Sequence, residues 1–229
     1  VAEETGMIRE IGRWALEAAC SQGARWRSAR LGAPSIGIAV NLSARQFMLE
    51  RLDVEVAQAL EATGVDPSTI SLEITESLLL ENPDAVRATI ESIARLGVRF
   101  VLDDFGTGYS SLAYLGGLPI EGLKVDRSFV AALGIDERST AITTAVVRMA
   151  QALSLEVVAE GVETERQADE LRKLGCELAQ GFLFHGPLDA ERVGSLVAVG
   201  GNGIRRTRSP QARHQLAGAA GATGARRRA

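Results

Sequence analysis

The chain has 229 residues, 46% of them hydrophobic, and a formal net charge of −4 at pH 7. This composition is typical of a globular protein and excludes a fibrous or wholly disordered one. Charge or glycine interrupts every apolar run before the roughly 18 residues of a membrane span, and no signal peptide opens the chain. We expect a cytoplasmic protein, with any membrane anchor in another segment. Cys20 and Cys176 lack CxxC or His neighbours, which predicts reduced core cysteines.

Charge is distributed unevenly along the chain. Seven of the 25 basic residues lie in residues 201–229, which contain no acid, so residues 1–200 hold the other 18 together with all 29 acids and have a net charge of −11. The segment 201–229 is rich in Arg, Gly and Ala and has almost no large apolar residue, so it cannot bury enough surface to fold. We predict one folded domain over 1–200 and a disordered tail over 201–229, with no nucleic-acid polymer as partner.

The first part of the chain predicts helices alternating with buried strands. The predicted elements are a helix over 5–29, a strand SIGIAVN ending at Asn41, a helix over 52–63, a strand TISLEI ending at Glu73 and a helix over 83–97. In the first helix, the apolar residues follow helical spacing, so this helix is expected to cover an apolar surface. These residues are Met7, Ile8, Ile11, Trp14, Ala15, Ala18 and Ala19. Ser43 and Gln46 have the spacing of a capping box, which predicts a helical turn directly after the first strand.

The second part repeats the same alternation. The predicted elements are a strand VRFVLDD ending at Asp103 and Asp104, a short helix near 110–115, a strand EGLKVD, a helix over 137–153, a strand LEVVAE ending at Glu160, a helix from Thr164 to Gly175, a strand CELAQG ending at Gln180, and a helix from Asp189 to about 200. Lys124 is two residues from Asp126 and therefore on the same strand face. Neighbouring acids point to opposite faces of a strand, so Asp103 and Asp104 can share one site only if the strand ends there and the backbone turns.

Six apolar strands that alternate with helices predict an α/β fold with a parallel sheet covered on both faces. An open doubly wound sheet and a closed barrel both fit this alternation. Polar residues occur at the end of every strand, which favours a TIM-like (β/α)8 barrel, because its site is assembled from all the βα loops. A complete barrel has eight strands and six are recognisable, so the barrel is expected to be incomplete at its N-terminus.

The residues at the strand ends predict metal chemistry. If the strand ends converge, five carboxylates meet a single lysine, Lys124, and such an excess of negative charge requires protons or cations. Oxygen ligands favour hard divalent ions such as Mg²⁺ or Mn²⁺. Two such ions held by shared carboxylates are suited to hydrolysing a phosphate ester.

Six segments in this order resemble the hallmarks of the EAL-domain phosphodiesterases of bacterial cyclic-di-GMP signalling. They are NLSARQF (41–47), LEITES (72–77), DDFGTGYSSL (103–112), LKVDRSFV (123–130), AEGVET (159–164) and QGFLFHGPL (180–188). The resemblance covers about residues 1–190. It implies a (β/α)8 barrel that uses two Mg²⁺ or Mn²⁺ ions to hydrolyse cyclic-di-GMP to linear pGpG.

The resemblance also implies a role for each matching residue. The implied metal ligands are Asn41, Glu73, Asp103, Asp104 and Glu160. Lys124 is implied at the nucleophilic water, with Glu160 also catalytic, and Gln180 and Asp126 are implied near the substrate. Coupling of the site to a homodimer is implied for Glu76 and for the loop residues Phe105, Gly106, Thr107 and Gly108. A sensor or cyclase domain upstream in the parent protein would also fit this family.

Two features depart from the family pattern. The Glu-Ala-Leu triplet that names the family, whose Glu is a metal ligand, does not occur at the start of this sequence, so the first two strands are expected to be missing. His185 and Gly186 stand where the family more often has a small polar and a basic residue. These departures leave open a catalytically degenerate module that binds cyclic-di-GMP or a protein, or a remnant that folds poorly alone.

Overall fold

The structure, a computed structural model, describes residues 2–28, 36–48, 51–106, 115 and 117–198. The predicted tail over 201–229 and the loop residues Thr107 and Gly108 lie outside the described residues. The predicted short helix near 110–115 also lies outside them except for Leu115, which is helical.

The centre of the fold is one parallel sheet whose six strands lie in sequence order. The strands are β1 (Ile38–Asn41), β2 (Ile70–Thr75), β3 (Arg99–Phe105), β4 (Gly122–Val125), β5 (Glu156–Ala159) and β6 (Leu178–Ala179). Each strand pairs in parallel with the next. The sheet curls into part of a barrel, which confirms the predicted α/β class and the incomplete TIM-like barrel with six strands.

Helices connect the strands and cover the outside of the sheet. They are α1 (Ala2–Thr5), α2 (Ile8–Ser28), α3 (Ala44–Phe47), α4 (Leu52–Thr63), α5 (Leu78–Glu81), α6 (Pro83–Ala94), α7 (Arg127–Ala131), α8 (Glu137–Ala152), α9 (Glu165–Leu174) and α10 (Ala190–Ala198), with a 3₁₀ turn over Pro67–Thr69. The sequence did not predict α5 and α7, because four or five residues are too few to show a helical period. None of the described helices is long and apolar enough to cross a membrane.

Side chains cap the starts of three helices, and the first of these caps confirms the predicted Ser43–Gln46 capping box. Ser43 and Gln46 form a reciprocal capping box at α3, and Thr164 and Gln167 form another at α9. The side chain of Asn82 accepts a hydrogen bond at the start of α6. Such caps satisfy backbone N–H groups that have no partner inside the helix. Cys20 and Cys176 are free and buried, as expected.

The face of α2 that packs on the rest of the domain agrees only in part with the predicted one. Ala15 and Ala19 pack against the core, as predicted. Ile11 and Trp14 are 44% and 69% exposed, and Met7, which precedes α2, is 55% exposed.

The buried positions of α2 include Gly12 and Leu16. A Cβ on Gly12 would lie 1.3 Å from the amide nitrogen of the Gln46 side chain, so α2 approaches Gln46 closely at this glycine.

One group of charged side chains links the N-terminal ends of three strands. Arg99, at the start of β3, donates through Nε to Glu121 at 2.9 Å and through Nη2 to Glu156 at 3.2 Å. We call these three residues the arginine cluster. Its side chains are 17%, 37% and 21% exposed, respectively.

Candidate active site

The strand register brings the predicted polar residues to one edge of the sheet. Asn41 pairs with Glu73 across β1 and β2, and Thr75 pairs with Asp103 across β2 and β3. Lys124 lies near the end of β4, and Glu160 directly follows β5. Because the strands are parallel, these ends lie side by side. The strand ends therefore converge, as predicted.

Asp103 and Asp104 reach this edge by a different route from the one expected. Strand β3 continues through both acids to Phe105, so the prediction that it ends at them is wrong. Instead, the pairing with β4 shifts register between Leu102 and Phe105, and Asp104 has a φ of 53°. A bulge with a left-handed residue re-aims a side chain within a strand, and Asp tolerates that conformation better than most residues. The bulge thus takes the place of the predicted turn.

Lys124 lies at the centre of the site and contacts three carboxylates. Its Nζ is 2.8 Å from Glu73 Oε2, 3.1 Å from Asp103 Oδ1 and 2.5 Å from Glu160 Oε1. The four side chains are between 8% and 16% exposed. We call these four residues the lysine cluster. A single positive charge therefore faces three largely buried negative charges.

The protonation of the site follows from this excess of acid. Burial lowers the pKa of Lys124, but its hydrogen bonds to Glu160 and Glu73 outweigh that effect, so the pKa lies above the ordinary value for lysine. Burial raises the pKa of Glu160, although Lys124 opposes the shift. Burial and the neighbouring charge of Asp103 raise the pKa of Asp104. The lysine is held in its charged form, and two carboxyl groups are costly to ionise without further cations.

The donor set fits hard divalent cations. Asp103, Asp104 and Glu160 each offer an oxygen, and these oxygens lie within 4.8 Å of one another. The Asn41 side-chain amide lies 3.1 Å from Asp103 Oδ2 and 3.2 Å from Glu73 Oε2 and donates to both when its nitrogen faces them. With the amide oxygen turned there instead, three oxygens would converge. Oxygen ligands of this kind suit Mg²⁺ or Mn²⁺, and the two groups share Asp103.

Gln180 and Asp126, the residues predicted near the substrate, occupy different positions. Gln180 follows β6 and donates from Nε2 to Glu160 Oε1 at 2.7 Å, so it lies beside the lysine cluster. Asp126 follows β4 and caps α7, because its side chain accepts from the backbone nitrogen of Ser128 at 2.9 Å. Burial opposes ionisation of Asp126, but the bonds from Ser128 prevail and its pKa is lowered. The structure gives Asp126 a capping role.

The predicted coupling residues meet at the end of β3. The backbone nitrogen of Gly106 donates to Glu76 Oε2 at 3.4 Å. Glu76 and Phe105 are 4% and 2% exposed. A buried carboxylate therefore contacts the backbone immediately after β3.

Sequence reasoning missed one residue that shapes the site. Gly181 follows Gln180, and a Cβ at this position would lie 2.2 Å from the carbonyl oxygen of Val162. Only glycine allows the loop after β6 to lie this close to the loop after β5. The available signal was a glycine directly after a polar residue at a strand end.

Comparisons with known proteins agree with the fold and show the family. The EAL domain family matches residues 1–187. The chain is 44% identical to the bifunctional diguanylate cyclase/cyclic di-GMP phosphodiesterase MucR of Pseudomonas aeruginosa over 198 residues, covering 86% of this chain and 29% of MucR. It is 42% identical to the oxygen sensor protein DosP of Escherichia coli over 193 residues, covering 84% of this chain and 24% of DosP.

A solved structure gives the same result in three dimensions. The PaMucR phosphodiesterase in complex with c-di-GMP is 44% identical, with a TM-score of 0.80 over 84% of this chain and 77% of that one. The chain spans about a quarter of the length of the curated relatives it matches. With a family match over most of its length and identities well above 30%, the chain belongs to the EAL domain family.

Proposed function

We propose that this domain hydrolyses cyclic-di-GMP to linear pGpG with the help of two Mg²⁺ or Mn²⁺ ions. The observation that carries the proposal is the lysine cluster with its adjoining oxygen donors: a largely buried site with more carboxylates than cations, at the strand ends of a barrel. The negative charges of such a site are balanced only when further cations bind. The relatives named as cyclic di-GMP phosphodiesterases indicate the substrate.

The protein groups divide into two overlapping ligand sets that share Asp103. One set is Asn41, Glu73 and Asp103, and the other is Asp103, Asp104 and Glu160. When bound, the ions would lower the pKa of a water molecule and neutralise charge on the phosphate in the transition state. The reaction adds the oxygen of water to phosphorus and breaks the bond to the 3′ oxygen, which leaves with a proton, so the product carries a 5′-phosphate and a free 3′-hydroxyl.

Lys124 acts in this scheme as a hydrogen-bond donor. In the metal-free site its hydrogen bonds to Glu160 and Glu73 outweigh burial and hold its pKa above the ordinary value, so it is charged there at neutral pH. Its ammonium group can orient the attacking water or stabilise negative charge on the phosphate oxygens. Gln180, which donates to Glu160, would keep that carboxylate in place beside the lysine.

Binding without turnover is a second candidate function. It is favoured by the ion pairs of Lys124 with Glu73, Asp103 and Glu160, which give the site a stabilising cation of its own. A site of this kind can persist without divalent ions. A domain that binds cyclic-di-GMP as a sensor would use the same pocket without chemistry.

The test is turnover of cyclic-di-GMP by the purified chain, followed by chromatography of the product. We expect pGpG with Mg²⁺ or Mn²⁺, none after chelation, and a fall of at least about 100-fold in Asp103→Asn, because both ligand sets lose a charge. Calorimetric binding of cyclic-di-GMP should survive in this variant if the fold is intact. Saturable binding with no hydrolysis in the unsubstituted protein under any divalent ion would favour the sensor, and full activity in Asp103→Asn would contradict the two-ion site.

The contact of Glu76 with Gly106 supports a further proposal, that the end of β3 is coupled to assembly of a homodimer. A homodimer and an upstream sensor or cyclase domain stay predictions.

A further inference from the structure

The backbone directly after β5 is hydrogen-bonded to both neighbouring strand ends. The nitrogen of Glu160 donates to the carbonyl oxygen of Val125, the last residue of β4, at 3.1 Å. The nitrogen of Val162 donates to the carbonyl oxygen of Gln180, which follows β6, at 3.0 Å. Gly161 lies between these two bonds. The parallel ladder of the sheet therefore continues past the end of β5 into the site.

Gly161 allows this backbone to lie against the start of α7. Its φ of 67° is in the left-handed region that glycine adopts more readily than other residues. A Cβ at this position would lie 2.7 Å from the Cβ of Arg127 and 3.5 Å from its Cα. Arg127 is the first residue of α7, directly after Asp126, whose side chain caps that helix. A methyl group at position 161 would therefore push the loop after β5 and the start of α7 apart.

The backbone at Gly161 has no room to move toward β6 instead. Gly181, in the loop after β6, already lies so close that its Cβ would be 2.2 Å from the carbonyl oxygen of Val162. Val162 is fully buried, and the same oxygen accepts from the nitrogen of Leu183 at 3.0 Å. The segment around Gly161 is thus packed between α7 and the loop after β6, and a larger residue there must displace its neighbours.

Glu160, the residue before Gly161, contacts two other side chains of the site. Its Oε1 lies 2.5 Å from Lys124 Nζ and 2.7 Å from Gln180 Nε2. Functional side chains have to be held within about 0.5 Å of their productive positions. Because Lys124 belongs to β4 and Gln180 follows β6, a shift of the loop after β5 changes both contacts at once.

We propose that Gly161 is a positioning residue of the active site. Because it has no side chain, α7 and the loop after β6 close on the backbone next to Glu160 and hold its carboxylate against Lys124 in the metal-free protein. The proposal deepens the proposed function, and its prediction for cations rests on that function, because Glu160 is one of the oxygen donors grouped with Asp103 and Asp104. Its prediction for Lys124 needs neither cations nor substrate.

The chain has two lysines, Lys124 and Lys173, and this gives a direct readout of the contact with Glu160. In protein isotopically labelled in lysine only, nuclear magnetic resonance spectra that correlate Cε with Nζ contain signals from these two side chains, and Lys173→Arg assigns them. Lys124 is 8% exposed and Lys173 is 69% exposed. The ammonium hydrogens of Lys124 should therefore exchange with water more slowly.

Gly161→Ala tests the proposal without removing a polar group. In the presence of a chelator, we expect the Lys124 signal to shift and its ammonium hydrogens to exchange faster with water, because the methyl group displaces Glu160. Mn²⁺ affinity, measured by calorimetry without substrate, should fall at least about tenfold, as it does when a group that orients a metal ligand is lost.

Arg127→Gly supplies a rescue. It removes the Cβ that the new methyl group would meet. The double variant Gly161→Ala/Arg127→Gly should therefore recover the Lys124 signal and most of the Mn²⁺ affinity, although the left-handed φ at position 161 persists. Arg127→Gly alone should leave the Lys124 signal unchanged.

Gly175→Ala controls for a general loss of stability. Gly175 also has a left-handed φ, of 79°, and a Cβ there would lie 2.9 Å from Nε2 of Gln151. It ends α9 and precedes β6, so it lies at the opposite end of that strand from the site. We expect this variant to melt at a lower temperature with an unshifted Lys124 signal.

The Lys124 signal decides the outcome. An unshifted signal in folded Gly161→Ala, or an equal shift in Gly175→Ala, would overturn the proposal. A double variant as perturbed as Gly161→Ala would also overturn it, because backbone strain and not the contact with Arg127 would then be the cause. If Gly161→Ala does not fold, the double variant is decisive: a signal at the unsubstituted position supports the proposal, and a shifted signal overturns it. Because the signal is recorded without cations or substrate, these outcomes are independent of whether the chain hydrolyses cyclic-di-GMP.

Discussion

The lysine cluster and the arginine cluster lie at opposite ends of the same strands and differ in charge balance. In the arginine cluster, one guanidinium meets two carboxylates that are 37% and 21% exposed. In the lysine cluster, one ammonium meets three carboxylates that are between 9% and 16% exposed, and Asp104 lies beside them. The end with more negative charge is also the more buried one.

The difference separates a structural role from a functional one. Partly exposed ion pairs such as those of Arg99 contribute little to stability, since water screens them. Buried carboxylates that outnumber their cations oppose folding, so stability alone does not account for them. We interpret the arginine cluster as a set of ion pairs that link the N-terminal ends of neighbouring strands. We interpret the lysine cluster as a cation-binding site. Three substitutions test this comparison.

Substitution of Lys124 by Met should have the largest effect on stability. It removes the only cation that contacts Glu73, Asp103 and Glu160 among the described residues, and breaking a buried ion pair by removing one partner costs about 3–5 kcal/mol. Urea unfolding in a chelator measures the loss. A loss below about 1 kcal/mol would show that the three carboxylates are not held charged by this lysine.

Divalent ions and pH sharpen this prediction. Mg²⁺ should restore part of the stability of Lys124→Met, because added cations replace the lost charge. The pKa of Lys124 is raised in the folded protein. Its stabilising contribution is therefore fully present below pH about 10.4, the ordinary pKa of lysine. It is lost only as the pH rises through the higher pKa of the folded state. The stability gap between variant and unsubstituted protein should therefore be constant from pH 7 to about 10.

Substitution of Asp104 by Asn should have opposite effects on function and stability. If Asp104 is a metal ligand as proposed, loss of its charge should weaken Mn²⁺ binding at least about tenfold. Because burial and Asp103 raise the pKa of Asp104, its charged form is unfavourable, and the neutral amide should stabilise the metal-free protein slightly, by less than about 1 kcal/mol since the side chain is exposed. Metal titration and chelator-treated unfolding measure the two effects.

The pH dependence of Asp104→Asn has a definite sign. A carboxyl whose folded pKa is raised binds more protons in the folded state than in the unfolded state, so stability rises as pH falls through the raised value. The advantage of the variant should consequently shrink as the solution is acidified from pH 7. An advantage that grows on acidification would contradict the assigned cause of the shift.

Substitution of Arg99 by Met should have the smallest effect. We expect a loss of about 1 kcal/mol or less in the free energy of unfolding, because the ion pairs with Glu121 and Glu156 are partly exposed. Mn²⁺ affinity should be unchanged. A shift in metal affinity equal to that of Asp104→Asn would show that the two ends of the sheet are coupled and would remove the distinction between the clusters.

The order of elements was predictable from sequence because its signals are local. Three such signals depend on residues within a few positions of one another: apolar runs of strand length, the capping box of Ser43 and Gln46, and the helix-ending Gly175. The polar residues at the strand ends then predicted a shared site, because parallel strands present their carboxyl ends at one edge.

Only the tertiary structure decided which side chains meet and which faces are covered. Gly12 lies against Gln46 of another helix and Trp14 is 69% exposed, and the helical period of α2 reveals neither. The position of Asp104 depends on a register shift against β4. Sequence by itself determined that acids and a lysine stand at the strand ends; the curl of the sheet placed Lys124 among three carboxylates, because their spacing is set by neighbouring strands and not by neighbouring residues.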